Sequence, residues 1–472
     1  LVFSSLAFVY IFLPICFLLY FFIARDIKQR NIILLVMSLI FYAWGEPKWI
    51  ILMVISTLVE FIGAKIIDEN RGTTKAKVAL GVSVATSLSF LFIFKYFDFF
   101  AFNFANIFGL TPKLLELTLP IGISFYTFQT ITYIVDVYKE KVPVQKSFAT
   151  LLLYVSMFPQ LIAGPIVKYS DIEEQLNNRK YHPKAVGEGV IRFLVGLAKK
   201  IILANIAGEM ATKFLDGDLE TLSFLGAWIG IISYTLQIYF DFSAYSDMAI
   251  GLGKIFGFTY PENFNYPYIA TTISDFWKRW HISLTTFFRE YLYIPLGGNR
   301  KHHVLNLLIV WVLTGFWHGS AWNFILWGLY YYVLVCLERL FLGRIIENLP
   351  SFVGHFYTMF LVIIGWVFFY FEDMDRLRAF FPVLFGFGAN SFIGVTDRAV
   401  FLNHIIFFII AILAVTPISK VIKKKFVEFK SKSNTTETIG DVSLVLLTLF
   451  MLFIDTAAMV GSTFNPFLYF RF

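Results

Sequence analysis

The sequence predicts an all-α polytopic membrane protein of about 10 to 12 transmembrane helices, with re-entrant or interfacial helices among them. Three observations carry that expectation. Of 472 residues 58% are hydrophobic and 19% aromatic, only 15% are charged, and mean hydropathy is +0.71. Soluble chains carry about 25% charged residues, and a single soluble core stops growing at roughly 250–300 residues. Lipid must therefore solvate most of this surface.

The spans follow from apolar runs at 1–23, 49–67, 78–94, 117–137, 321–337, 352–371, 400–415 and 442–454, with less regular runs between 148 and 257. About 20 apolar residues cross the hydrocarbon. Run 1–23 has no basic leader and no small-residue cleavage site, so it reads as a retained first span. Orientation follows from Lys and Arg: 25–30 carries three, 65–77 four, 138–147 three and 420–432 six, against one each in 45–48 and 111–116. The positive-inside rule makes the first group cytoplasmic and leaves both termini outside. The net charge of +7 then reports orientation, and no nucleic-acid partner is expected.

Cys16 and Cys336 stand in separate apolar runs, which provides neither a disulfide framework nor metal spacing. No metal site is expected. The polar insertion at 168–189 is too short for a soluble domain, so 1–472 reads as one membrane domain. Its motif-rich region is 239–323, where ionisable groups crowd between aromatics. The apolar segment 304–317 has only 14 residues, which suits a half-length helix lining protein or a cavity.

Two of seven histidines are embedded in that region. His182, His302, His303 and His355 sit in or beside polar connections, and His404 starts an apolar run. His318 ends the half-length segment in Gly315-Phe316-Trp317-His318-Gly319, where flanking glycines allow close approach. His281 shares helical spacing with Trp277, Trp280, Leu284, Phe288 and Tyr291, which predicts one amphipathic helix with Lys278, Arg279 and Arg289 facing elsewhere. Each histidine has two readings, a hydrogen-bonded structural group or a functional one. Ionisable groups at membrane depth favour the second, for transporters as much as for enzymes.

A third cluster, 239–247, holds Tyr239, Asp241, Ser243 and Asp247. It suits an ion site, a group that orients a histidine, a pore lining, or a polar network between helices. Arg300 and Lys301 form a basic pair that fits lipid phosphate or a phosphorylated ligand. No Walker A loop, Gly-x-Ser-x-Gly turn or His-x-x-x-x-Asp pair occurs, which argues against an ATPase and a serine hydrolase.

Four motifs together resemble the membrane-bound O-acyltransferases, within them the bacterial alginate O-acetyltransferase branch. They are Pro261-Glu262-Asn263-Phe264-Asn265-Tyr266-Pro267-Tyr268, Phe276-Trp277-Lys278-Arg279-Trp280-His281-Ile282-Ser283-Leu284, Phe288-Arg289-Glu290-Tyr291-Leu292-Tyr293-Ile294-Pro295-Leu296-Gly297-Gly298, and Gly315-Phe316-Trp317-His318-Gly319. The similarity runs from Val2-Phe3-Ser4-Ser5 to the closing aromatic run, and Glu290 stands where the pattern usually has Asp.

The resemblance implies a ring of helices around a thinned centre with a tunnel joining the two faces. It maps the family's near-invariant histidine onto His318 and a second onto His281. The implied chemistry is acetyl transfer in a bacterial inner membrane. His318 would be the general base and His281 would orient the acyl group or polarise its carbonyl. Trp277, Trp280, Trp317, Asn323, Tyr239, Asp241 and Ser243 are candidates for the substrate path, and Lys278, Arg279, Arg289, Arg300 and Lys301 for donor phosphates. No permanently bound cofactor is expected; acetyl-CoA or another acyl thioester is the expected donor. Expected partners are the bilayer, a polysaccharide acceptor, and a secreted or membrane-tethered esterase-like protein of the SGNH type. The alternatives are D-alanyl transfer to teichoic acid and a small-solute or proton transporter.

Overall fold

The computed structural model describes residues 2–180, 182–461 and 464–468. Every regular element among them is helical. Positions 469–472 of the closing aromatic run lie outside the described residues. Among the described residues six helices are long and apolar enough to span: Ile27–Gly45, Ile50–Glu69, Thr74–Phe108, Trp322–Glu347, Ser351–Tyr370 and Asn434–Gly461. The pair Val395–Asn403 and Ile405–Ala414, bent by 58°, makes a seventh if taken as one span. The remaining apolar runs form shorter or interrupted helices, such as Phe8–Ile23 and His303–His318. The chain is a multi-pass membrane protein.

Two compact units divide it. One comprises Leu1–Phe193, Tyr245–Glu262 and Thr286–Leu292. Its helices include α1 (Ile27–Gly45), α2 (Ile50–Glu69), α3 (Thr74–Leu91) and α4 (Ile123–Tyr138). Asp26 caps α1 by accepting from the Gln29 N–H at 2.8 Å, satisfying a donor the helix cannot. α2, α3 and α4 pack on one another, and α2 and α3 are joined by the buried Ser87 hydroxyl donating to Glu60 at 2.6 Å. Cys16 is a buried free thiol here.

The other unit comprises Leu194–Ala244, Asn263–Thr285 and Tyr293–Phe472. It takes the first part of α5 (Phe224–Ile255), then α6 (Ile273–Arg279), most of α7 (Ile282–Phe288), α8 (His303–His318), α9 (Trp322–Leu337), α10 (Ser351–Tyr370) and α11 (Asn434–Gly461). Lipid tails give helices little apolar reason to associate, so close packing must hold them together. Glycine provides it between α8 and α9. A Cβ on Gly315 would lie 2.3 Å from the Phe324 carbonyl oxygen, and one on Gly328 would lie 2.4 Å from that of Trp311. α8 has 16 residues, about 24 Å at 1.5 Å per residue, shorter than the hydrocarbon core as its sequence predicts.

The helix expected through His281 is instead broken. α6 ends at Arg279, Trp280 is extended, and His281 adopts φ 45°, a left-handed conformation that is uncommon for a side-chain-bearing residue. The cause is competition for backbone donors: the Asn263 carbonyl accepts from the Ile282 N–H at 2.9 Å, and its side-chain oxygen from the Ser283 N–H at 3.2 Å.

Candidate active site

α8 ends at His318, whose ring forms the wall of a small apolar cavity of about 30 Å³. At 10–15 Å³ per site that is room for about two water-sized groups. Ile238, Asp241 and Phe242 line it from α5, Trp327 from α9, Trp366 and Phe369 from α10, with Trp280, Phe467 and Leu468. His318 meets Trp317, Trp327 and Phe369 edge-on, with ring centroids 4.9, 5.0 and 5.0 Å away. Aromatic packing therefore fixes the imidazole plane. The C-terminal end of a helix carries partial negative charge, which suits a ring that becomes cationic on taking a proton.

Asp241 brings the cavity its carboxylate. Its Oδ1 lies 2.8 Å from Lys200 Nζ, with both side chains almost wholly buried, and its Oδ2 accepts from the Leu468 N–H at 2.8 Å. Lys200 also donates to the Pro466 carbonyl and, at 3.0 Å, to Asn205 Oδ1. A buried charge is tolerated when it is paired and hydrogen-bonded, as both are here. Asp247, on the last part of α5, takes a different partner, Arg192, at 2.9 Å, and both of these residues belong to the first unit. Six residues along a helix are about 240° apart, so the two carboxylates cannot share a face.

His281 is fully buried and lies outside the cavity lining, though its ring is 4.6 Å from that of Phe242, which is part of it. Its Nδ1 is 3.1 Å from Asn263 Oδ1, which also accepts from the Ser283 N–H and, at 2.9 Å, the Ser283 hydroxyl. Since a backbone N–H can only donate, that Asn263 atom is the amide oxygen, and the His281 Nδ1 must carry the proton. Nε2 then keeps its lone pair, and it has no hydrogen-bond partner among the described residues. His281 lies outside the spanning helices, and burial pushes its imidazole down to about 3.

The other candidates separate into groups. Trp280 and Asp241 line the cavity. Trp277 packs behind it against Trp311, Trp327 and Tyr331, Trp317 lies between the two histidine rings in sequence and touches both, and Tyr239 packs on Tyr268. Asn323 is buried and donates to the Phe368 carbonyl at 3.1 Å; Ser243 is buried on α5. Of the cations, Arg279 pairs with Asp275 at 2.9 Å, and Lys278, Arg289, Arg300 and Lys301 are exposed. None of the five lines the cavity among the described residues. Lys200, Trp327, Trp366, Phe369, Phe467 and Leu468 were not foreseen. A lysine inside an apolar run was the one signal available for Lys200.

Comparison with known proteins identifies the family. Residues 36–380 match the model of the MBOAT, membrane-bound O-acyltransferase, family. The protein named "Probable alginate O-acetylase" of Pseudomonas putida is 40% identical over 397 residues, covering 82% of this chain and 81% of that one. The peptidoglycan O-acetyltransferase of Helicobacter pylori is 35% identical over 442 residues, 86% of this chain and 84% of its own. The teichoic acid D-alanyltransferase of Bacillus subtilis is 29% identical over 241 residues, 47% of this chain and 59% of its own. With the family match across most of its length, the chain belongs to the membrane-bound O-acyltransferases and is an O-acyltransferase of the membrane.

Proposed function

We propose that this enzyme moves an acetyl group from a cytoplasmic thioester, acetyl-CoA, to a hydroxyl destined for a cell-envelope or exported polysaccharide. The observation that carries the reading is His318 in the lining of a small apolar cavity of about 30 Å³. The acceptor hydroxyl oxygen attacks the thioester carbonyl carbon, forming a C–O bond as the C–S bond breaks. His318 takes the hydroxyl proton and returns it to the departing thiolate, a role suited to an imidazole. The relatives named for alginate and peptidoglycan acetylation support a polysaccharide acceptor. D-alanyl transfer fits less well, since its ammonium needs a counter-charge and both Asp241 oxygens are already engaged by Lys200 and the Leu468 N–H.

The placement proposed is the bacterial inner membrane, with the Lys- and Arg-rich connections 65–77 and 420–432 cytoplasmic and both termini outside. A secreted or membrane-tethered esterase-like partner completes delivery to the polymer, either through its own serine or by presenting the sugar. Proteoliposomes holding the purified chain test the enzyme reading: acetyl-CoA should lose its acetyl group in their presence. Solute uptake without thioester turnover would instead favour a transporter. Single cysteines in the two basic connections, challenged on intact cells with an impermeant thiol reagent, test the orientation; rapid labelling of both from outside would overturn it.

A further inference from the structure

We propose that Phe467 and Leu468 set the length of the acyl group, with Lys200 and Asp241 as the positioning residues that hold them at the cavity. The inference rests on the acyl-transfer reading above. The stretch from Asn465 to Leu468 is not part of any long helix, so its placement depends on what grips it. The grip is polar and largely to backbone: Lys200 donates to the Pro466 carbonyl, Asp241 accepts from the Leu468 N–H at 2.8 Å, and Asn205 Nδ2 donates to Asn465 Oδ1 at 3.3 Å. Contacts to the main chain fix its path whatever the side chains are. The Phe467 and Leu468 side chains are then left to face the cavity beside His318.

The free space is about 30 Å³, bounded otherwise by Trp280, Trp327, Trp366 and Phe369. Those four rings pack against one another: Trp280 and Trp366 centroids are 4.9 Å apart, and Trp327 and Phe369 5.3 Å. Enlarging the cavity on that side would disrupt the core of the unit. The 465–468 side is anchored at three polar contacts and is where a change of side chain alters volume at least cost to the helices. A butyryl group adds two methylenes to what a space of about 30 Å³, room for about two water-sized groups, has to hold. Apolar pockets discriminate single methylenes by about 10- to 200-fold, so a wall of this kind is sufficient for chain-length selection.

The test compares CoA release from acetyl-CoA and butyryl-CoA by the full-length protein in proteoliposomes. The parent should prefer acetyl-CoA. Leu468→Ala and Phe467→Ala should each raise the butyryl-to-acetyl ratio by about 10- to 100-fold. Lys200→Met, which keeps the aliphatic stem and removes the ammonium, should raise the same ratio without altering the wall side chains. If the alanine variants fail to accumulate, Leu468→Val and Phe467→Leu make the same comparison in smaller steps. An unmoved ratio in the wall variants, with acetyl-CoA still consumed by the parent, overturns the wall alone. An unmoved ratio in Lys200→Met removes its positioning role. A parent that consumes neither thioester overturns the acyl-transfer reading, and this inference with it.

Discussion

His318 ends a continuous helix, is held by aromatic rings and opens on a cavity, whereas His281 sits in a helix break and is held by an amide oxygen. Both lie in the same unit and both are buried. The difference lies in what each ring is free to do. Ring packing fixes the plane of His318 and places it against the space where a reacting group fits. The Asn263 contact spends one His281 nitrogen as a donor and leaves the other as an acceptor. A neutral ring in that tautomer cannot donate from Nε2 to a carbonyl oxygen, so of the two roles expected for His281, orientation fits and carbonyl polarisation does not.

The largest effect should follow from His318→Gln. Loss of a general base costs about 10²–10⁴-fold in rate, whereas loss of a buried hydrogen bond costs about 1–3 kcal/mol of stability. Polymer acetyl content, measured in cells with equal amounts of each protein, should fall to background while the variant accumulates and melts near the parent. Normal acetylation would remove His318 from the mechanism.

A smaller loss, about 10–1,000-fold, is expected for His281→Ala, through positioning. With its pKa pushed down to about 3 by burial, His281 stays neutral through the working range. The parent-to-variant ratio should therefore be flat between about pH 5 and 8. A ratio that collapses toward the acid side would show that His281 titrates there. Asn263→Leu should act in the same direction as His281→Ala, and Asn263→Asp, which keeps an acceptor oxygen, should recover part of the loss. Equal losses in both Asn263 variants would deny it the tautomer role.

The sequence carried the membrane class, because apolar length is a property of contiguous residues. It also carried the half-length α8 and the place of His318 at its end. The break at Trp280–His281 was hidden because the apolar spacing of Trp277, Trp280, Leu284, Phe288 and Tyr291 continues through it, while its cause, Asn263, lies 18 residues upstream of His281. The Asp241–Lys200 pair and the Phe467–Leu468 wall were hidden for a related reason. Each joins residues remote in the chain, and periodicity reports only which face of an element is apolar, not what that face meets. Asp241 and Asp247 read as one cluster until the helix turned them apart.

The smallest effect belongs to the exposed cations, where the two histidines offer a scale. Arg300 and Lys301 are solvent-facing and line no part of the cavity, so any contact with donor phosphates is made at high dielectric. Exposed ion pairs contribute about 0.2–1 kcal/mol, which corresponds to less than about a sixfold change in affinity. Arg300→Gln and Lys301→Gln should raise KM for acetyl-CoA within that limit, leave kcat near the parent value, and lose even this difference in high salt, where screening removes it. Steady-state kinetics at two ionic strengths decides the matter. A fall in kcat comparable to that of His281→Ala, insensitive to salt, would mean that these side chains are desolvated when the donor binds and belong to the reacting site, and the contrast between the buried groups and the exposed cations would no longer hold.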